Sequence, residues 1–207
     1  MEDNIKRILD LLKKHYPGAR TSLHYNTPFQ LLVAVILSAR STDEQVNRIT
    51  PALFAAFGTP DAMAGASVPE VEELVKSCGL YRSKSRNLVK MAGMVKSRYG
   101  GNIPSTLEEL ISLPGVGRKT ANVVLSVAFD KPAIAVDTHV FRVSKRLGLA
   151  SGKTPLAVER ELMEIIPRQQ WSATHHRLIA HGRSICISRK PCCEECFLNC
   201  YCVRKGI

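Results

Sequence analysis

Apolar residues recur along the chain at the spacing of helix faces. Residues 4–14 carry an apolar stripe made of Ile5, Ile8, Leu9, Leu11 and Leu12. That spacing predicts an amphipathic helix. The longest apolar run, residues 29–37, has a periodicity that fits either a buried strand or a buried helix. Thr27 and Pro28 stand directly before it as an N-cap and a first-turn proline, so we predict a buried helix.

Further helix starts are marked by residues whose side chains can cap a first turn. They occur at Ser41-Thr42, Ser67, Ser105 and Thr154. Ser67 with Glu70, and Ser105 with Glu108, have the spacing of a capping box. No segment shows the alternation of apolar and polar residues that is typical of a strand. The pattern therefore predicts an all-α protein of about ten short helices.

The sequence LPGVGRKT at residues 113–120 interrupts a predicted pair of helices that spans about residues 107–129. Gly115 and Gly117 permit positive φ and a close approach of the backbone to a ligand. The first N–H groups of a helix and its positive dipole end bind anions, so the start of the second helix is a predicted phosphate site. A P-loop is excluded, because Arg118 stands where that motif needs glycine.

Lys119 falls in the first turn of the second helix, and Asp137 follows in the sequence VDTH at residues 136–139. Taken singly, Lys119 fits an exposed surface lysine, and Asp137 fits the N-cap of a helix predicted from Thr138 to Leu147. Taken together, a phosphate site, an amine nucleophile and a carboxylate favour chemistry on nucleic acid.

The charge of the chain points to the same class of partner. The formal net charge is +11, from 29 basic and 18 acidic residues, which suits a polyanion. Residues 74–107 contain seven basic residues and no acid. A merely solvated basic surface would have the same composition. Membrane lipid is the poorer partner, because no amphipathic anchor accompanies the charge and no apolar run reaches the ~18 residues of a membrane span.

Cysteines concentrate at the C-terminus, where six of the seven lie in the last 22 residues. The N-terminus has no signal-peptide pattern, so we expect a cytoplasmic, nucleoid-associated protein, in which a disulfide framework is disfavoured. One set of four has the spacing C-x6-C-x2-C-x5-C: Cys186, Cys193, Cys196 and Cys202. This spacing permits zinc or an iron–sulfur cluster. Cys192 and Cys200 adjoin the set and leave its register open.

These motifs resemble the helix–hairpin–helix DNA glycosylases of base excision repair, and among them the endonuclease III family. The family core L-P-G-V-G-x-K-T followed by V-D-T-H is present without a mismatch. The resemblance implies that Lys119 is the amine nucleophile and Asp137 the essential carboxylate. It implies that the hairpin, including Leu113, Gly115 and Gly117, grips the phosphate of an extruded nucleotide. It also implies a [4Fe–4S] cluster on the four cysteines of that spacing, with Cys78, Cys192 and Cys200 as free thiols.

The resemblance implies further DNA contacts. Arg40 lies in a stretch that probes the base opposite the lesion, where several family members have glutamine, so the preference for the opposite base is left open. Leu80 matches an apolar wedge that enters the duplex, although a core leucine fits the sequence equally well. Arg189 and Lys190 lie in the loop that the cluster would hold.

The implied architecture has two helical lobes. Residues 22–132 form a six-helix lobe with the hairpin, and residues 1–21 with 133–207 form the second lobe, with a cluster loop at 186–202. The implied function is that of a monomeric, bifunctional enzyme that removes oxidised pyrimidines from duplex DNA and nicks the abasic site by β-elimination. A monofunctional mismatch glycosylase, which generally lacks this lysine, a non-catalytic helix–hairpin–helix DNA-binding protein and a zinc-finger-like protein are the alternatives.

Overall fold

The computed structural model describes residues 2–204, and every regular element within that range is helical. Its eleven α-helices are α1 (Glu2–His15), α2 (Pro28–Ser38), α3 (Asp43–Phe57), α4 (Pro60–Gly65), α5 (Val68–Val75), α6 (Tyr81–Tyr99), α7 (Leu107–Ser112), α8 (Arg118–Ala128), α9 (Thr138–Leu147), α10 (Pro155–Ile165) and α11 (Trp171–Ser184). Two 3-10 turns, Arg168–Gln170 and Asn199–Tyr201, complete the set. The all-α prediction is confirmed.

Most helix starts lie where the capping residues predict them. Thr27 caps α2, Thr42 caps α3, and Ser67 with Glu70 forms both hydrogen bonds of a capping box at the start of α5. The apolar run 29–37 is a helix with buried residues along its whole length. A helix that is apolar all round belongs in a core, and α2 packs against α3, α6 and α8.

The predicted cap at Ser105 is wrong by one residue. The N–H of Glu109 donates to Oγ1 of Thr106 at 3.3 Å, so Thr106 is the N-cap of α7. Ser105 and Thr106 each have an acid three residues later, which makes the two boxes equivalent in sequence. The helix begins at Leu107, and the residue directly before that start makes the cap.

The chain divides into two compact units. The first unit is Ser22–Phe129 and contains α2 to α8, seven helices where six were expected. Thr59 caps the short α4 directly after Gly58, the C-cap of α3. Leu110, Leu113, Val116 and Val124 are buried and fix the α7–α8 hairpin to this unit.

The second unit combines Met1–Thr21 with Asp130–Ile207. Its core is formed by α1, α9, α10 and α11, and buried members include Ile8, Leu12, Val143, Leu147, Leu162 and Leu178. Cys186 and Leu198 belong to the same core, which joins the cysteine-rich segment to the helices. Between residues 2 and 204, no helix combines the length and hydropathy needed to cross a bilayer.

Candidate nucleic-acid interface

The hairpin between α7 and α8 presents a helix start with no capping side chain. Its turn closes with a hydrogen bond from the N–H of Val116 to the carbonyl of Leu113, 3.1 Å long. Gly117 is the N-cap of α8 and has no side chain that could accept from the first turn. The positive end of the α8 dipole and the first-turn N–H groups therefore form a site where a bound anion can replace the missing cap.

The two hairpin glycines have different structural roles. Gly115 has φ +81°, and a Cβ on it would lie 3.0 Å from Cβ of Asn87. Gly117 has φ −94° and ψ 173°, so it does not adopt the positive φ that glycine permits. A Cβ on Gly117 would meet nothing within 4 Å. Gly115 is needed for the turn itself, whereas Gly117 leaves open space above the helix start.

Lys119 is exposed in the first turn of α8. Its amine stands beside the uncapped helix start and is accessible to a ligand bound there. The side chain of Leu113 is buried, so only the backbone of this predicted contact residue is available to DNA.

Asp137 caps α9 in the second unit. Its Oδ1 accepts from the N–H groups of His139 and Val140, each at 2.8 Å, and Oδ2 takes neither bond. The N-cap interpretation is confirmed, and it leaves the second oxygen to another role. Burial lowers the pKa of His176 to about 4, although the charge of Asp137 raises it. Because His176 is neutral near pH 7, it does not compensate the charge of Asp137.

Arg40 and Leu80 lie on two loops of the first unit that touch each other. Both residues are exposed, and both have left-handed backbones, with φ +56° at Arg40 and φ +61° at Leu80. Leu80 is 58% exposed, so the alternative of a core leucine is wrong. A Cβ on Gly79 would lie 2.8 Å from the carbonyl oxygen of Arg40, so only glycine permits this approach.

Only some of the basic residues in the stretch 74–107 are exposed and unpaired with an acid. Lys84 is 5% exposed, which removes it from any contact with a polyanion. Lys76 forms an ion pair with Glu73, and Lys96 forms one with Asp61. Lys84 is a residue that sequence patterning missed, since nothing in the chain distinguishes it from its exposed basic neighbours.

The four spaced cysteines come together in the second unit. Cys186, Cys193, Cys196 and Cys202 line one pocket, which Cys192 also lines, while Cys200 is exposed. Burial raises the pKa of the Cys196 and Cys202 thiols, and the neighbouring Cys186 and Cys193 raise it further. Such mutual repulsion between thiolates favours a cationic centre among them. Nowhere in residues 2–204 do three Cys, His, Asp or Glu side chains stand close enough to hold one metal ion.

Two arginines of α9 hold the start of the cysteine segment. Arg146 is buried and donates to the carbonyls of Ile187 and Ser188, at 2.8 Å and 3.0 Å. Arg142 donates to the carbonyl of Cys186 at 2.8 Å. Only the one-turn spacing of the two arginines could have indicated these contacts from the sequence. Arg189 and Lys190 follow at once, both exposed on a loop whose backbone is fixed by α9.

Comparison with known proteins places the chain among DNA repair proteins. The model of the HhH-GPD superfamily base excision DNA repair proteins matches residues 33–168. The chain is 50% identical to endonuclease III of Synechocystis sp. over 192 residues, 92% of this chain and 88% of the relative. It is 49% identical to endonuclease III of Bacillus subtilis over 207 residues, 98% of this chain and 94% of the relative.

A solved structure has nearly the same fold. It is described as a trapped endonuclease III–DNA covalent intermediate, an estranged-adenine complex. The TM-score is 0.95 at 47% sequence identity, and the match covers 99% of this chain and 96% of that chain.

Proposed function

The chain belongs to the HhH-GPD superfamily of base excision DNA repair proteins, and we propose that it removes oxidised pyrimidines from duplex DNA and nicks the strand at the abasic site. It is a bifunctional DNA glycosylase and abasic-site lyase, as its near full-length similarity to endonucleases III supports. The observation that carries the proposal is the exposed Lys119 beside an uncapped helix start, in a chain 47% identical to a protein trapped as a covalent intermediate with DNA.

Lys119 is the proposed nucleophile. Its neutral amine attacks C1′ of the damaged nucleotide, and the base leaves with the electron pair of the glycosidic bond. The sugar ring opens to a Schiff base between Nζ and C1′. This imine acidifies the proton on C2′, whose removal expels the 3′ phosphate and nicks the strand. An exposed amine in the first helical turn is accessible to a nucleotide whose phosphate occupies the helix start.

Asp137 is the proposed carboxylate. As the base departs, C1′ gains oxocarbenium character, and a fixed negative charge stabilises that cation. Two backbone hydrogen bonds hold Oδ1 of Asp137 in place, so the side chain does not need to be ordered at the moment of reaction. His176, whose pKa burial lowers to about 4, does not offset that charge near pH 7.

DNA is the proposed partner, bound through several separate features. The hairpin backbone at Gly115 and Gly117 binds phosphate, Arg40 and Leu80 enter the duplex, and Arg189 and Lys190 contact phosphates from the cysteine loop. Their exposure supports these roles. The proposed enzyme is a monomer. Because its proposed substrate is DNA, we expect it in the cytoplasm, associated with the nucleoid.

Cys186, Cys193, Cys196 and Cys202 are the proposed ligands of a [4Fe–4S] cluster. Four thiols that line one pocket are a suitable donor set for a metal centre, and their spacing permits zinc or an iron–sulfur cluster. The near full-length similarity to endonucleases III supports the cluster. When bound, the cluster supplies a closed structural centre, and Arg142 and Arg146 fix the loop that follows Cys186.

The cofactor proposal is tested on purified protein. We expect broad visible absorbance, with iron and acid-labile sulfide in equal amounts, and loss of both in the Cys196→Ser variant. The Cys200→Ser variant is the matched control and should keep them, because Cys200 is exposed outside the pocket. Stoichiometric zinc without visible absorbance would contradict the cluster.

The function is tested by reductive trapping. The protein is incubated with a duplex that carries one thymine glycol, and borohydride is added. We expect a covalent protein–DNA adduct, and strand cleavage when borohydride is left out, since the Schiff base is the intermediate of both. The same duplex with thymine at that position is the control. Base release without any adduct would indicate a monofunctional glycosylase, and binding without release a non-catalytic DNA-binding protein.

A further inference from the structure

Lys84 is a buried cation without a role in the proposed chemistry. It lies near the start of α6, and its Nζ donates to the carbonyl of Leu37 at 2.7 Å and to Oγ of Ser41 at 3.2 Å. Neither partner carries a charge. Burying an ammonium group against neutral partners is costly, and here burial lowers the pKa of Lys84. Its hydrogen bonds indicate which part of the structure this buried charge stabilises.

The Lys84 ammonium connects three segments of the first unit. Leu37 lies at the end of α2, Ser41 lies in the loop before α3, and Lys84 lies in α6. Ser41 Oγ is a shared acceptor, because it also takes the N–H of Gly79 at 3.2 Å. Gln45 adds a parallel link from α3, with its Nε2 donating to Oγ of Ser77 at 2.5 Å.

Both loops joined in this way carry a strained, exposed residue. Arg40 precedes Ser41, and Leu80 follows Gly79, and each has a left-handed backbone. For residues with a Cβ this conformation is strained, because Cβ approaches the neighbouring carbonyl oxygen. Strain of this kind persists only where the surroundings hold it. Here the surroundings are the shared hydrogen bonds at Ser41 and the close approach of Gly79 to the Arg40 carbonyl.

We propose that Lys84, through Ser41, is a positioning residue that fixes Arg40 and Leu80 as a preformed pair of prongs for entry into duplex DNA. The inference rests on the proposed function and deepens it. Lys84 itself is buried and touches no DNA. The free-energy cost of the left-handed backbones at Arg40 and Leu80 arises when the protein folds. The two loops are then already ordered, so DNA binding carries no further entropy cost for ordering them.

The test compares two substrates that differ only in the need for duplex entry. One is a duplex with a single abasic site, and the other is the same abasic strand alone. In Lys84→Met, we expect single-turnover cleavage of the duplex to fall by about tenfold, because a charge-assisted hydrogen bond is lost. Cleavage of the single strand should stay within about twofold, because it has no stack to open. Lys13→Met, which removes an exposed charge from α1, is the matched control and should change neither rate.

Two further variants separate positioning from loss of fold. Ser41→Ala removes the shared acceptor from a half-buried site, and it should reproduce the selective loss even if Lys84→Met does not fold. In a Leu80→Ala background, Lys84→Met should lower duplex cleavage by less than about threefold further, since one of the two side chains that it positions is already gone.

The outcomes distinguish the two proposals. An unchanged duplex-to-single-strand ratio in both Lys84→Met and Ser41→Ala would overturn the positioning role, as would an undiminished effect in the Leu80→Ala background. Failure of the unaltered protein to cleave either substrate would instead count against the lyase function itself.

Discussion

Replacing Lys119 by alanine is expected to abolish the borohydride-trapped adduct on thymine glycol duplex and to lower strand cleavage by on the order of 10³-fold or more. The amine is the atom that bonds to C1′, so its removal eliminates the intermediate rather than weakening it. Because the Lys119 side chain is exposed, the variant should fold as the unaltered protein does. Single-turnover cleavage and trapping measure both effects.

Two matched variants make this result specific. Lys119→Arg keeps the positive charge beside the DNA but supplies a guanidinium that is protonated throughout. We expect it to bind DNA and to trap no adduct. Lys153→Ala, at another exposed lysine, should trap as well as the unaltered protein. An adduct that survives in Lys119→Ala would assign the nucleophile to a different amine.

Replacing Asp137 by asparagine is expected to separate catalysis from stability. Asparagine is as good an N-cap as aspartate, so the bonds to the N–H groups of His139 and Val140 can be kept. The charge that stabilises the oxocarbenium ion is lost. We expect base removal to fall by about 10²- to 10³-fold, while the free energy of unfolding changes by less than about 0.5 kcal/mol.

Asp137→Ala is the companion variant, because it removes the cap together with the charge. We expect the same catalytic loss and a further ~1 kcal/mol of destabilisation, measured by denaturant unfolding. If the asparagine variant keeps full activity, then Asp137 is a helix cap and nothing more. If it loses as much stability as the alanine variant, the catalytic comparison fails as well.

Most helix starts with a side-chain cap could be predicted from the sequence, and the start of α8 could be predicted from its glycine turn. Thr27, Thr42 and Ser67 carry their signal in the sequence, because the donor lies three residues after the acceptor. The start of α6 carries none, since Leu80 precedes it with a left-handed backbone and no side-chain cap. Where two possible capping boxes adjoin, as at Ser105 and Thr106, the sequence does not show which residue makes the cap. The answer depends on the residue at which the helix begins.

The residues of the candidate site divide in a similar way. Some positions are set by neighbouring residues in the chain, and others by contacts with distant segments. The hairpin and the helix that Asp137 caps are local, and their motifs could be found in the sequence. The burial of Lys84 depends on Leu37 and Ser41, which lie on other elements. The nearest basic residues in the chain, Arg82 and Arg86, are exposed. Leu80 could not be assigned for a similar reason, because its exposure depends on the loop beside it.

Helix α9 carries the proposed catalytic carboxylate at one end and the anchors of the cysteine loop toward the other. A helix of ten residues is about 15 Å long and behaves as a stiff rod. Arg146 grips the backbone after Cys186, and Asp137 stands at the opposite tip. One short helix therefore carries both the side chains that bind the backbone after Cys186 and the N-cap Asp137. The position of the proposed carboxylate is thereby tied to the start of the cysteine segment through a single helix.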